Sequence, residues 1–432
     1  MTKQIATGIA TVSLLLNAVA PVFASTTLEI SGNGADSANT TQVSVSQTTV
    51  VSQTNEANIS NDVNANANSG GNSASRNTGG DVSVDTGNAT TLVGISNTAN
   101  SNVADVENCD CALDAEVLIS GNGAGSDNEA LLGLLSSTIV AQSNKADIDN
   151  KVNADATTGD NRANRNTGGD VEIFTGNAAA EVEILNEANS NSARVGGGQG
   201  TGNGSVSLRI LGNGADSKNG ILLGLDREIL LQQYNDAEID NDVDVDANTG
   251  DNRANRNTGG SVEIDTGSAY AGVFADNAFN FNWADVGCDC LTDILAKVAG
   301  NGAESENKIS AELADELNVF QDNSCGRRPQ YALELFGFGY RHRDRNCVDN
   351  DLDAYAGTGY NKADRNTGDP EGDPSVTTGN AETVVEAQNT GNANVYGSAP
   401  TEDAPGFGDF DGVSLNFTFD LQDLLSALGL VS

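Results

Sequence analysis

The chain has a single histidine, His342, in 432 residues. Multi-histidine metal sites are therefore excluded, and histidine-based triads find no support. No Gly-x4-Gly-Lys phosphate loop is present, and carboxylates are too abundant for any pair of them to mean general acid–base chemistry. The sequence reads as a protein that is not an enzyme, with no required cofactor. Large apolar residues are also scarce: aromatics make up 5% and the apolar fraction is 38%, so a conventional globular core of this size is not expected. Proline numbers only 6, against 49 glycines. Disordered chains carry more Pro, Lys and Glu, so this composition favours a regular architecture with a thin Val/Ile/Leu/Ala core. Cations are few, 21 against 61 carboxylates, and the net charge is −40. That charge repels nucleic acid and anionic membrane surfaces, and no nucleic-acid partner is expected. After the first 24 residues no run is long and apolar enough to span a bilayer, so no integral membrane span is expected in the mature chain.

Those first residues have the organisation of a signal peptide. Lys3 supplies the positive region, 5–19 is largely apolar, and Val22-Phe23-Ala24 offers small residues for cleavage after Ala24. The expectation is a secreted protein, extracellular or held at the cell surface, where disulfides persist.

What the chain has in abundance is repetition. Arg-Asn-Thr-Gly occurs at Arg76, Arg165, Arg256 and Arg365, and Gly-Asn-Gly-Ala at Gly32, Gly121, Gly212 and Gly300. The second block recurs at 121−32 = 89, 212−121 = 91 and 300−212 = 88 residues. Four repeats follow, 28–111, 117–198, 208–290 and 295–396. Each opens at a Gly/Asn corner, a place for positive φ. An apolar section comes next, alternating around Val43 and Val45 in the first copy and Leu-rich in the second and third; it is read as strand. Clean period-two alternation follows, with Val243, Val245 and Ala247 on one face and Asp242, Asp244, Asp246 and Asn248 on the other. Glycines then recur every eight or nine residues around a short strand such as Val171-Glu172-Ile173.

Short strands and even Gly/Asn corners predict an all-β tandem-repeat β-solenoid, with antiparallel β-sandwich repeats as the alternative. At roughly 20 to 25 residues per coil, each repeat would wind about four coils, and the array would be a rod on the order of 70 Å long. The fourth copy is longer. Its Gly300-to-Arg365 distance is 65 residues, against 44 in the third, and the insertion reads as a loop closed by a Cys325–Cys347 disulfide. Residues 397–412 read as a linker, and 413–432 as a terminal cap or assembly segment.

Several groups are candidates for function. The arginines Arg76, Arg165, Arg256 and Arg365 are assigned a structural role, bonding turn carbonyls or a neighbouring carboxylate. At four coils per repeat they would lie too far apart to form a stripe. Asp244, Asp246 and Asn248 place oxygens at alternate positions, as a calcium loop does, but Gly250 comes one residue late for an EF-hand and the bidentate Glu is missing. Possible Ca2+ binding is the one metal expectation, beside a solvated outer face of stacked Asn. Cys109 and Cys111, and Cys288 and Cys290, form two Cys-Asp-Cys motifs, open to local or inter-chain bridging. The best binding candidate is the inserted loop 326–346. It carries Arg327, Arg328, Arg341, Arg343 and Arg345 among Tyr331, Phe336, Phe338 and Tyr340, an island of cations and aromatics on an acidic chain.

In its Asn/Gly-rich repeats and short alternating strands the chain resembles bacterial secreted surface and fibre-forming solenoid proteins, loosely of the curlin type. It lacks the regular Gln and Ser positions of that family. The resemblance implies an exported structural or adhesive role and transfers no site residue. Expected partners are other copies of the chain or a surface polymer. A secreted binding module working through 326–346, and a calcium-binding secreted protein or enzyme, are the alternatives.

Overall fold

The structure, a computed structural model, describes residues 2–18, 26–106, 115–196, 205–287, 293–325, 347–368 and 374–397. It is all-β. Each repeat contributes to four sheets, and every ladder among the described residues is parallel. The opening sheet stacks β2 (Thr26–Ser31), β6 (Ala115–Ser120), β10 (Ser205–Leu211) and β14 (Asp293–Ala299). The long sheet stacks β3 (Ala38–Asn68), β7 (Asp127–Thr157) and β11 (Lys218–Asn248), each of 31 residues. The fourth copy continues it with two strands, β15 (Glu306–Ser324) and β16 (Val348–Gly357). The short sheet holds β4 (Val82–Asp85), β8 (Val171–Thr175), β12 (Val262–Thr266) and β17 (Ser375–Thr378). The closing sheet holds β5 (Ala89–Val106), β9 (Ala178–Gly196), β13 (Ala269–Gly287) and β18 (Ala381–Tyr396). One further strand, β1 (Thr2–Ala18), pairs in parallel with β5 at the near end of that sheet.

The solenoid expectation is met and the antiparallel sandwich is excluded. The coil count is corrected. A residue pairs with its equivalent in the next copy, Val63 with Val152 and Val152 with Val243, so one repeat is one coil. The Gly corners spaced by eight or nine lie within a coil, and the long strands run through 31 residues without a corner. Four coils at about 4.8 Å make a stack on the order of 20 Å thick, while a 31-residue strand follows a contour of about 100 Å. The array is broad and short where a narrow rod was expected.

Each coil is a flattened loop. The back half of the long sheet faces the closing sheet, where Val152, Ala154, Val243 and Val245 pack on Val93, Val182, Ile184 and Val273. The front half faces the opening sheet, with Leu132 and Leu223 against Ile119 and Leu208. The inward alanines expected from the alternation are there, and they keep the layers close. Corners follow the glycines. Gly121 adopts φ 63°, and a Cβ on Gly159 would sit 1.9 Å from the Gly250 carbonyl oxygen of the next coil.

The core also contains what the sequence reading left outside it. Asn61, Asn150, Asn241 and Asn350 stack along the long sheet, interlocked with Asn97, Asn186, Asn277 and Asn389 of the closing sheet. Asn186 is fully buried. Its Nδ2 donates to Asn277 at 2.6 Å and Asn241 at 3.2 Å, and its Oδ1 accepts from Asn97 at 2.7 Å and Asn150 at 3.1 Å. A second zipper links Asn55, Asn144, Asn235 and Asn323 with Asn102, Asn191, Asn282 and Asn394 in the same manner. A buried amide is costly unless its hydrogen bonds are made, and here the repeat itself supplies each partner. The phase of the alternation was the available signal. Ile59, Asn61 and Val63 share one parity, so Asn61 had to point inward with them.

Replacing Asn186 by Ala leaves several buried amide groups unpaired and should lower stability by about 3 kcal/mol. Replacing the exposed Asn64 should change it by less than about 0.5 kcal/mol. Urea unfolding midpoints of the two variants measure the contrast.

Candidate assembly surfaces

Three features of the array could meet another molecule: its two ends, the arginine corner, and the outer face of the long sheet. At the ends, parallel strands stop with unpaired backbone edges, and the amide zippers stop with opposite polarity. Every asparagine rung donates from one coil to the next, while the single glutamine ladder, Gln53, Gln142, Gln233 and Gln321, donates the other way. Asn33 Nδ2 donates to Asn122 at 2.9 Å, Asn122 to Asn213 at 2.9 Å, and Asn213 to Asn301 at 3.0 Å. Asn39, Asn128, Asn219 and Asn307 do the same, each at 2.8 Å. In the asparagine ladders coil one therefore ends in amide oxygens and coil four in amide hydrogens. Coil four also carries exposed apolar side chains, Leu295 at 59%, Leu313 at 58% and Phe320 at 57%. On the opposite side β1 occupies the free edge of β5.

The arginine corner lies between the long and short sheets. Arg76, Arg165, Arg256 and Arg365 are all exposed and take φ between 57° and 70°. Their backbones stack, with Arg76 N donating to Asn164 O at 2.9 Å and Arg165 N to Asn255 O at 3.0 Å. With one coil per repeat, these four side chains leave adjacent coils, about 4.8 Å apart. That corrects the separation expected for them. Among the described residues none of the four guanidinium groups bonds a carbonyl or a carboxylate. Arg162, Arg253 and Lys362 form a second, bridged ladder beside them.

On the outer face of the long sheet, Asp244 and Asp246 point to solvent as the alternation required. Asn248 is used locally, its Oδ1 accepting from Gly250 N at 2.8 Å. Among the described residues no group of three or more His, Cys, Asp or Glu side chains is arranged to hold a metal. In-register stacking brings like charges together instead. Asp149, Asp240 and Asp349 are direct neighbours, as are Asp155 and Asp246. Partial burial, followed by the Asp349 and Asp149 charges, pushes the Asp240 carboxyl up. Burial, then Asp155 and Asp244, does the same for Asp246. On the closing sheet, burial raises Glu181, Glu183, Glu187 and Asp276. Strand cations relieve some of this crowding across coils. Lys151 meets Asp242 at 2.9 Å, Lys145 meets Glu56 at 3.3 Å, and Arg209 pairs with Glu116.

The inserted segment of the fourth copy is closed as expected by Cys325–Cys347, with Cα atoms 4.6 Å apart. The long-sheet ladder pairs Asp236 with Ser324 and Ile239 with Val348, so the insertion stands where copy three has only Ala237 and Glu238. Its binding candidates, Arg327 to Arg345, lie outside the described residues. So do Cys109, Cys111, Cys288 and Cys290, and the terminal segment 413–432. No known protein family, curated protein or solved structure matches the chain.

The pKa directions fix a pH dependence. A carboxyl held above its ordinary value binds its proton more tightly when folded, so the folded state gains stability as pH falls. The gain begins at the raised values and is complete below the ordinary ones, 3.8 for Asp and 4.5 for Glu. Asp170 opposes it, because hydrogen bonds from Ser261 lower its pKa. Thermal melting should therefore give a higher midpoint near pH 4 than at pH 7.

Proposed function

We propose that the chain is an exported structural or adhesive repeat protein of the bacterial cell surface or extracellular matrix, and that copies of it stack end on end. The observation that carries this reading is the complementarity of the two ends. Coil four offers amide hydrogens, backbone edges and exposed Leu and Phe side chains. Coil one offers amide oxygens and the matching backbone edges. Open edges of this kind template the addition of a further chain, and natural proteins blunt them when assembly is unwanted. The signal-like segment at the N-terminus supports export, and the acidic, cation-poor surface suits an extracellular medium.

The position of β1 adds a control step to this reading. It pairs along β5 on the edge an incoming coil would use. A chain that keeps residues 1–24 would have that edge filled, and cleavage after Ala24 would uncover it. Negative-stain imaging should show fibres from the chain starting at Ser25 and discrete particles from the chain that keeps its leader. Discrete particles from both would overturn end-on stacking.

A second reading has one observation behind it. The coil continues across 325–347 without the insertion being needed for its register, so that segment is free to serve as a binding loop. Joining Ser324 to Val348 through Ala-Glu, as in copy three, should leave stacking intact and abolish surface attachment if the loop is the adhesive element. Unchanged attachment would return the adhesive role to the array.

A further inference from the structure

The backbone does not explain the arginines of the corner. A residue at φ near 60° is best served by Gly or Asn, and an arginine there costs of order 1 kcal/mol relative to them. The chain uses Asn in all four copies of one such position, Asn100, Asn189, Asn280 and Asn392, and mixes Asp with Glu or Tyr at others such as Asp216, Glu304 and Tyr360. At the corner it keeps Arg in all four copies, exposed, while the pairing cations on the strands reach a carboxylate one coil away. The guanidinium groups are therefore placed for something outside their own coil stack.

The surroundings sharpen this. The turn segments 69–81, 158–170, 249–261 and 358–370 carry seven cations and six carboxylates, 7 − 6 = +1, on a chain of net charge −40. One of the seven is engaged locally, Lys362 with Asp364 at 3.3 Å. The back half of the long sheet has the opposite character. Its outward positions are Asp62 in copy one; Asp147, Asp149 and Asp155 in copy two; Glu238, Asp240, Asp242, Asp244 and Asp246 in copy three; and Asp349, Asp351 and Asp353 in copy four. Lys145 and Lys151 are the cations beside them, and each is paired with a carboxylate one coil away. Both ladders take their spacing from the same coil-to-coil distance, so the cations of one copy match the carboxylates of another without adjustment.

We propose that the arginine corner of one copy docks along the acidic outer face of the long sheet of a second copy, joining arrays side by side. The partner is a second copy of this chain, and the contact is a set of ion pairs at the coil repeat. A guanidinium row would neutralise carboxylates such as Asp149, Asp240 and Asp349, which in a lone copy repel one another. The inference deepens the self-assembly reading by adding a lateral contact. It is separable from end-on stacking, because side-by-side pairing widens a particle while stacking lengthens it.

The test is sedimentation velocity of the purified protein at about 0.1 M and about 1 M salt, with imaging of particle width. Lateral pairs are expected at the lower salt and should dissociate at the higher. Changing Arg76, Arg165, Arg256 and Arg365 together to Asn, a residue that tolerates this backbone, should weaken pairing roughly tenfold or more at unchanged or raised thermal midpoint. Asp149→Asn, Asp240→Asn and Asp349→Asn combined should give the same loss from the other side, whether or not the arginine variant folds. Pairing that survives both sets of substitutions overturns the proposal, and so does a protein that never widens at low salt. If copies stay apart while dextran sulfate binds the parent and not the arginine variant, the corner is a polyanion site and the proposal fails. Wide, short particles would keep lateral docking and remove end-on stacking; long, single-width fibres would do the reverse.

Discussion

In-register parallel stacking is the constraint on which the rest of the structure depends. Once residue i lies on its equivalent one repeat away, each side chain spends its existence beside copies of its own kind. Apolar residues gain from this without further conditions. Amides gain more, because a side-chain amide is both donor and acceptor and can bond its own likeness indefinitely. Carboxylates lose, since identical charges about 4.8 Å apart repel. The distribution of residues follows: Asn and Gln in the interior ladders, Val, Ile and Ala between them, and Asp outside where water screens it. The register also explains how a chain with so few large apolar residues holds a large structure together. Amide ladders occupy interior positions that Leu and Phe would fill in a globule, and each rung is completed by the next coil.

Much of this was readable from the residues alone. The strand character of the Leu-rich sections, the glycine corners, the outward Asp242, Asp244 and Asp246, and the Cys325–Cys347 closure all followed from spacing and parity. The number of coils per repeat did not. Gly159, Gly168 and Gly176 look like the corners of a small coil, yet they bend the chain around one narrow end of a large one. Corner spacing fixes where a chain turns and leaves open where it returns. That is decided by which residues find their equals, and the 89- and 91-residue offsets of the Asn hydrogen bonds decide it. The misjudged coil count carried over to the arginines, which a four-coil repeat would have kept far apart and a one-coil repeat makes neighbours.

The candidate surfaces differ in how they arise. The ends exist because any solenoid has them, and their polarity follows from how each amide is oriented. The corner cations exist against the local preference of the backbone, which is why they call for a use. The inserted segment is the one departure from the repeat, and the coil resumes beyond it in the old register. The proposed stacking, the proposed lateral contact and the insertion between Cys325 and Cys347 can therefore be altered separately.

The amide zippers have one more property. In the asparagine rungs the N–H end of the side chain points toward coil four and the C=O end toward coil one, and only the one glutamine ladder runs against them. Side-chain dipoles that would cancel in an ordinary interior are thus aligned along a single axis, as peptide dipoles are in a helix. The array is an electrically polar body, with partial positive charge gathered at its fourth coil and partial negative at its first. Two such bodies approaching along that axis would be turned head to tail by their fields before any strand had paired.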